Sequence, residues 1–405
     1  MKTIMTALVL HAAILFVASP TPANDDLLNG VTVHEWGTFT SIAGYDGLAL
    51  EWTPAGGPAD LPCFVDSLMI KYRLVGRVRM ETPVLYFYSP REATLDVRVD
   101  FPEGTITEWY PDRTPLAGGN PDPRSIAWKR VEIRPGAPED FPIEERPSHY
   151  YAARATDAAP LRVGGETEKL LFYRGVGDFQ PSIAATVDEN GGVYVRNIGR
   201  ADEIRGVVLF ENRDGEIGYR IHGAMAREAV LEPPRLDADV DSLYRELVRI
   251  LVHEGLYPEE AEAMVETWRD SWFEEGARLF YVVPPARVDA LLPLSIKPAP
   301  ASLARVFVGR MEILTPSILD AVETAIRTHD TDVLARHGRF LEPTVAELTR
   351  SGRLSPEEQI RGQDAVGRLR GLYRAVDPCR MRALPVGSAR SKGLDDPTVR
   401  PEFPD

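Results

Sequence analysis

The stretch "VTVHEWGTF" (31–39) decides how the first half of this chain is read. Its β-branched and aromatic residues suit a strand, in which successive side chains point to opposite faces. Val31, Val33, Glu35, Gly37 and Phe39 then share one face, and Thr32, His34, Trp36 and Thr38 the other. A glutamate lands on the apolar side. Either Glu35 is buried there, where lost hydration raises its pKa, or a bulge turns it to water.

Outward from this strand the pattern recurs. "ATLDVRVDF" (93–101) sends Leu95, Val97, Val99 and Phe101 inward and Asp96, Arg98 and Asp100 outward, as in a half-buried antiparallel strand. "SIAATV" (182–187) and "VYVRNI" (193–198) flank a "DENGG" turn, and "GVVLFE" (206–211) and "EIGYRI" (216–221) flank "NRDG". Residues 24–231 are therefore expected to form an antiparallel, β-sandwich-like region. Eight prolines make 111–147 read as a long irregular connection between two β units.

After "EPPRLDAD" (232–239) the period becomes helical. Val240, Leu243, Tyr244, Leu247, Val248 and Leu251 follow one helix face, with Gly255 as a stop. Ala261, Met264, Val265, Trp268 and Trp272 follow the next. "RLFYVV" (278–283) and "ARVFVGRMEIL" (304–314) are strand-like, and helical segments resume from 316 to 375. The expected fold class is α+β and multi-domain: the sandwich-like region, then a mostly helical region (240–376) with a small β element. Residues 384–405 read as a disordered tail.

The chain has 405 residues, 44% hydrophobic and 26% charged, which is ordinary for a globular protein. Its net charge of −15 weighs against nucleic acid or an anionic membrane as main partner. Lys2, the apolar run "ALVLHAAILFVA" (7–18) and the small residues "TPA" (21–23) read as a secretory signal over 1–23. The mature chain is expected to be exported, to the periplasm or beyond. No segment reaches the ~20 apolar residues of a membrane helix. Cys63 and Cys379 are the only cysteines, and either pair as a disulfide or stay as separate buried thiols.

Glu-Trp occurs three times in the first 110 residues, at Glu35-Trp36, Glu51-Trp52 and Glu108-Trp109. A poorly hydrated carboxyl suits a general acid, and indoles offer flat surfaces to sugar rings. "RVRMETPVLYFYS" (77–89) places Arg79 and Glu81 on one face, as a structural ion pair or as a base held ionised by its arginine. The chemical expectation is a glycan site with Glu35 as acid, Glu81 as base or nucleophile, and Glu108 as a third carboxyl. His34, Trp36, Arg79 and Trp109 would line it, and the Glu35 and Glu81 carboxyls would lie ~5–9.5 Å apart. The competing expectation has each glutamate held by backbone or arginine and each indole filling core. "VGRMEILTP" (308–316) echoes the Arg-Met-Glu segment and adds Glu312. No HExxH, GxSxG, Walker-A or GxGxxG pattern occurs, so no metal or other cofactor is expected.

At "HEWGTFTSIAG" (34–44), "RMETPVLYFYSP" (79–90), "TEWYP" (107–111) and "TWRDSWFEEGARLFYVVP" (267–284) the chain resembles a group of uncharacterised exported bacterial proteins. The resemblance spans most of the mature chain. It implies export and a shared architecture, and supplies no activity, ligand or catalytic residue. The expected role is binding or structural, toward an envelope polysaccharide or protein. A glycan hydrolase using paired carboxylates is the alternative, and a metal-assisted hydrolase using His34 a weaker one.

Overall fold

A computed structural model describes residues 27–55, 60–115, 122–199, 202–375 and 379. The expected signal (1–23) and tail (384–405) lie outside them. The strands begin with β1 (Leu27–Ile42), β2 (Asp66–Ser67), β3 (Val78–Tyr88), β4 (Ala93–Asp100), β5 (Gly104–Tyr110) and β6 (Ser125–Ile133). Next come β7 (Leu161–Val163), β8 (Glu166–Glu168), β9 (Leu171–Gly177), β10 (Ile183–Val187), β11 (Val193–Asn197) and β12 (Ile204–Arg213). The last are β13 (Glu216–Met225), β14 (Glu228–Leu231), β15 (Gly276–Val282), β16 (Leu294–Lys297) and β17 (Ala299–Ile313). Helices α1 (Val240–His253) and α2 (Pro258–Trp272) precede β15, and α3 (Pro285–Leu291) follows it. Four more close the described chain: α4 (Pro316–Thr328), α5 (Thr331–Arg336), α6 (Leu341–Arg350) and α7 (Pro356–Ala375).

A nine-stranded sheet in the order β13-β12-β15-β17-β1-β3-β9-β5-β2 organises the molecule. Its β1–β17 pair is parallel and its other pairs are antiparallel. This corrects the expected fold class, an antiparallel sandwich-like region followed by a mostly helical one. The sheet is mixed, and two of its central strands come from the C-terminal half. The physical reason lies in β15 and the second half of β17. Both are buried residue after residue, as strands covered on both faces must be. Such a strand needs neighbours on both sides and cannot stand as a small separate β element.

The connection 111–147 is corrected too, since it contains β6. Arg130 at φ 55° bulges that strand and breaks the alternation by which it could have been read. On one face of the large sheet, β4 and β6 and the β10–β11–β14 sheet share a single apolar core with Val33, Phe39, Leu85 and Phe87. Gly37 allows this packing: a Cβ there would meet the Phe307 ring at 2.6 Å.

Part of the opposite face is covered by the α1–α2 hairpin. Asp239 caps α1 by accepting from the Ser242 N–H, and Gly255 at φ 116° turns the chain into α2. Leu247, Met264 and Trp268 then pack on Trp36, Tyr86 and Phe280. Helices α4–α7 gather a core of their own. No helix among the described residues is long and apolar enough to cross a membrane.

Candidate functional site

The question raised by "HEWGTF" has a direct answer: Glu35 is buried and paired. It accepts from Tyr173 Oη on β9 at 2.6 Å and from Arg305 Nε on β17 at 2.6 Å. Burial, reinforced by the Glu35 charge, pushes the Tyr173 hydroxyl well above its ordinary pKa. His34, on the other face, has Nδ1 2.8 Å from Glu260 Oε2. Glu260 is fully buried at the start of α2 and also accepts from Tyr88 Oη and the Tyr257 N–H, each at 2.8 Å. The imidazole packs against the Tyr257 and Tyr88 rings, which also meet each other edge to face.

Glu81 lies on the helix-facing side with His34, opposite to Glu35. Thr82 at φ 46° marks a register shift between Met80 and Val84 on β3. Arg79 and Glu81 before the shift, and Val84 and Tyr86 after it, thereby share one face. Glu35 and Glu81 do not converge, which corrects the expected acid–base pair. The assumption that failed was unbroken alternation along β3.

Glu81 instead sits within a belt of alternating charge that crosses the sheet. It accepts from Thr40 at 2.8 Å, lies 3.0 Å from Arg79 Nε and is paired with Arg339, which reaches in from the turn before α6. Toward β5, Arg174 holds Asp60 at 2.8 and 3.1 Å, and Lys71 meets Glu108 at 3.1 Å. Toward β15, Arg310 donates to Glu274 at 2.8 Å and Glu312 at 2.7 Å, and Arg278 Nε lies 3.0 Å from Glu312. The two Arg-Met-Glu segments thus flank β1 from both sides. Their methionines, Met80 and Met311, point into the opposite core.

Burial alone would raise the carboxyl pKa values, but the cations outweigh it. Glu81 is held at about 2, chiefly by Arg339 and Arg79. Asp60 is held far below the carboxylate range by Arg174 and Arg79, and Glu108 is lowered by Lys71 and Arg174. These groups are therefore ionised at neutral pH. Held that way, they are poor proton donors.

Trp36 and Trp109 are fully buried on opposite faces of the sheet. They fill core and line no binding surface, which corrects their expected role as sugar platforms. Glu81, Glu108 and Arg79 do share the belt, and its end encloses a cavity of about 30 Å³ walled by Asp60, Lys71, Arg79, Glu108, Arg174 and Cys379. Cys63 and Cys379 form a disulfide beside it, with the Arg146 guanidinium 3.2 Å from the Cys379 sulfur.

A cleft of about 570 Å³ opens elsewhere, beside Tyr88 at the end of β3. Pro90, Pro135 and Pro160 form part of its walls, and Thr156 and Lys169 supply polar groups. Lys169 is buried, donates to the Thr156 carbonyl at 3.0 Å and pairs with Glu139 at 2.6 Å. Among the described residues, no group of three or more His, Cys, Asp or Glu side chains is arranged to hold a metal.

Sequence reasoning did not find Asp60, Lys169, Arg174, Glu260, Glu274, Arg278 or Arg339. For Arg174 and Arg278 a signal existed: each is a lone charge within an apolar strand, in "LFYRGV" and "ARLFYVV", and a buried charge requires a partner.

No family model matches the chain, and no curated protein matches it. Among solved structures it is similar to the yeast delta-COP-I mu-homology domain complexed with a Dsl1 WxWxV peptide. The identity is 8% and the TM-score 0.25, over 70% of this chain and 96% of that one. The same yeast domain alone gives 7% and 0.21 over the same shares. Likeness at this level carries no argument.

Proposed function

We propose that this is an exported binding protein of the cell envelope, with structural carboxylates and a polysaccharide as its ligand. The observation that carries the reading is the separation of charge from space. The carboxylates of the belt are paired with cations, and two of them, Asp60 and Glu108, wall a cavity of about 30 Å³, while a cleft of about 570 Å³ lies elsewhere. The cleft has the mixed character that sugars require: the Tyr88 ring and three prolines give flat apolar walls, and Lys169, Glu139 and Thr156 give hydrogen-bonding groups. Lys169 has three N–H donors, two of them engaged by Thr156 and Glu139, which leaves one for a ligand hydroxyl. A glycan hydrolase would need one carboxyl kept protonated, and the pairing of Glu81 and Glu108 works against that.

The test is retention of the purified protein on immobilised envelope polysaccharides, with release of reducing ends measured in parallel. Retention on one polymer without new reducing ends, weakened in Lys169→Met, is the expected result. Loss of retention in Glu81→Gln at unchanged stability, or steady release of reducing ends, would overturn the reading.

A further inference from the structure

The charged belt is out of balance. Around its β15–β17–β1–β3 portion the cations are Arg79, Arg278, Arg310 and Arg339, and the carboxylates are Glu81, Glu274 and Glu312. Continuing to Asp60, Arg174, Glu108 and Lys71 adds as many anions as cations, so the excess of one positive charge persists. Arg310 is fully buried, yet its Nε and Nη1 have no hydrogen-bond partner among the described residues, and neither does Arg339 Nη2. Both guanidiniums lie against the Phe340 ring, 5.2 and 5.0 Å from its centroid. Unmet guanidinium donors in a low-dielectric interior are costly to leave unsatisfied, and an uncompensated charge there more so.

We propose that Arg310 and Arg339 hold a small monovalent anion of the halide class between the sheet and the turn that precedes α6. It would supply the missing negative charge and accept from the free N–H groups. The crowding of like charge supports this: burial, together with the nearby Arg310 and Arg339 charges, lowers Arg278 to about 10 despite its pairing with Glu312. Glu81, the carboxylate nearest Arg339, is lowered by the same field. A halide is favoured over a carboxylate or phosphate because it needs little room and no fixed direction of approach.

The experiment is thermal unfolding of the full chain in sodium chloride and in sodium gluconate at one fixed ionic strength, with chloride-35 line broadening on the same samples. Expected is a saturable rise in Tm with chloride, by mass action on a site present only in the folded state, together with excess broadening. Both signals should vanish in Arg310→Met. Should that variant fail to fold, Arg339→Gln removes one donor from the edge of the site and should weaken chloride dependence at least several-fold. Coincident melting in the two salts without excess broadening would assign the free donors to water and overturn the proposal. Chloride dependence that survives unchanged in a folded variant would do the same.

Discussion

The helix-facing side of the large sheet divides into two halves built on the same six strands. On β1 the change runs from Trp36 to Thr40, on β3 from Val84 to Glu81, and on β9 from Phe172 to Arg174. On β5 it runs from Tyr110 to Glu108, on β17 from Val308 to Arg310, and on β15 from Phe280 to Arg278. One end of every strand is apolar and packs under α1 and α2. The other end is charged, or on β1 carries the Thr40 hydroxyl that donates to Glu81, and closes against Arg339, Asp60 and Lys71. The difference teaches that alternation fixes which way a strand residue points, whereas the covering segment fixes what chemistry is tolerated there. A helical hairpin rich in Leu and Trp covers one half by area burial. The other half is stabilised by pairing each buried carboxylate with a cation, and removing one partner strands the other.

That contrast can be tested in steps. The largest effect should come from reducing the disulfide, which ties the charged half to the chain's far end across a sequence separation of 316. The chain-entropy model gives roughly 5 kcal/mol for a loop this long. Denaturant unfolding with and without a dithiol measures it, and a midpoint that does not move would show that the tie adds nothing.

In the apolar half, Trp268→Ala should cost about 3–5 kcal/mol, as expected for a large buried aromatic, with no change in pH dependence. In the charged half, Glu81→Gln should cost about 3 kcal/mol, because Arg79 and Arg339 lose their counter-charge. Urea midpoints at pH 7 rank the two. A neutral Glu81→Gln would mean that the belt is solvated.

Acid should separate the halves further. His337 lies beside the belt, and burial lowers its pKa from 6.5 to about 4. The folded state therefore refuses a proton that the unfolded chain accepts. The stability tied to it is full above pH 6.5 and lost as pH falls to 4. Glu81, lowered from 4.5 to about 2, contributes stability that is full above 4.5 and lost toward 2. Each window is worth ~3 kcal/mol at most. Unfolding free energies at pH 7, 5, 4 and 3 should fall for wild type and Trp268→Ala alike, while Glu81→Gln loses the further fall between pH 4.5 and 3. The smallest effect belongs to Glu51, whose side chain is 57% exposed and meets Arg77 at the surface. Glu51→Ala should shift stability by no more than ~0.5 kcal/mol.

Much of the local structure was legible. The inward residues of "ATLDVRVDF", both hairpins after residue 180 and the buried faces of α1 and α2 follow from periodicity, because each is set by neighbours within a few turns or one strand pair. Three features were not legible. The β1–β17 pairing joins residues about 270 apart, and no local pattern encodes a partner at that distance. The shift at Thr82 reverses the facing of β3; Pro83, which cannot donate to a central ladder, is a sign of a bulge but does not say which face the strand takes after it. Arg339 follows a glycine in a short turn between helices, where nothing marks it as the counter-charge for a strand glutamate. The site was half legible for the same reason: Arg79 and Glu81 are neighbours on one strand, whereas the partners that decide their chemistry come from distant segments.

The most direct test of the structural role of these carboxylates is a double-mutant cycle on Glu81 and Arg339, using Glu81→Gln, Arg339→Gln and the pair. The two side chains are directly paired in a buried site, so the double variant should lose about 2–3 kcal/mol less than the sum of the single losses. Single losses that add to within ~0.5 kcal/mol would contradict the account, because the two side chains would then not form a buried pair.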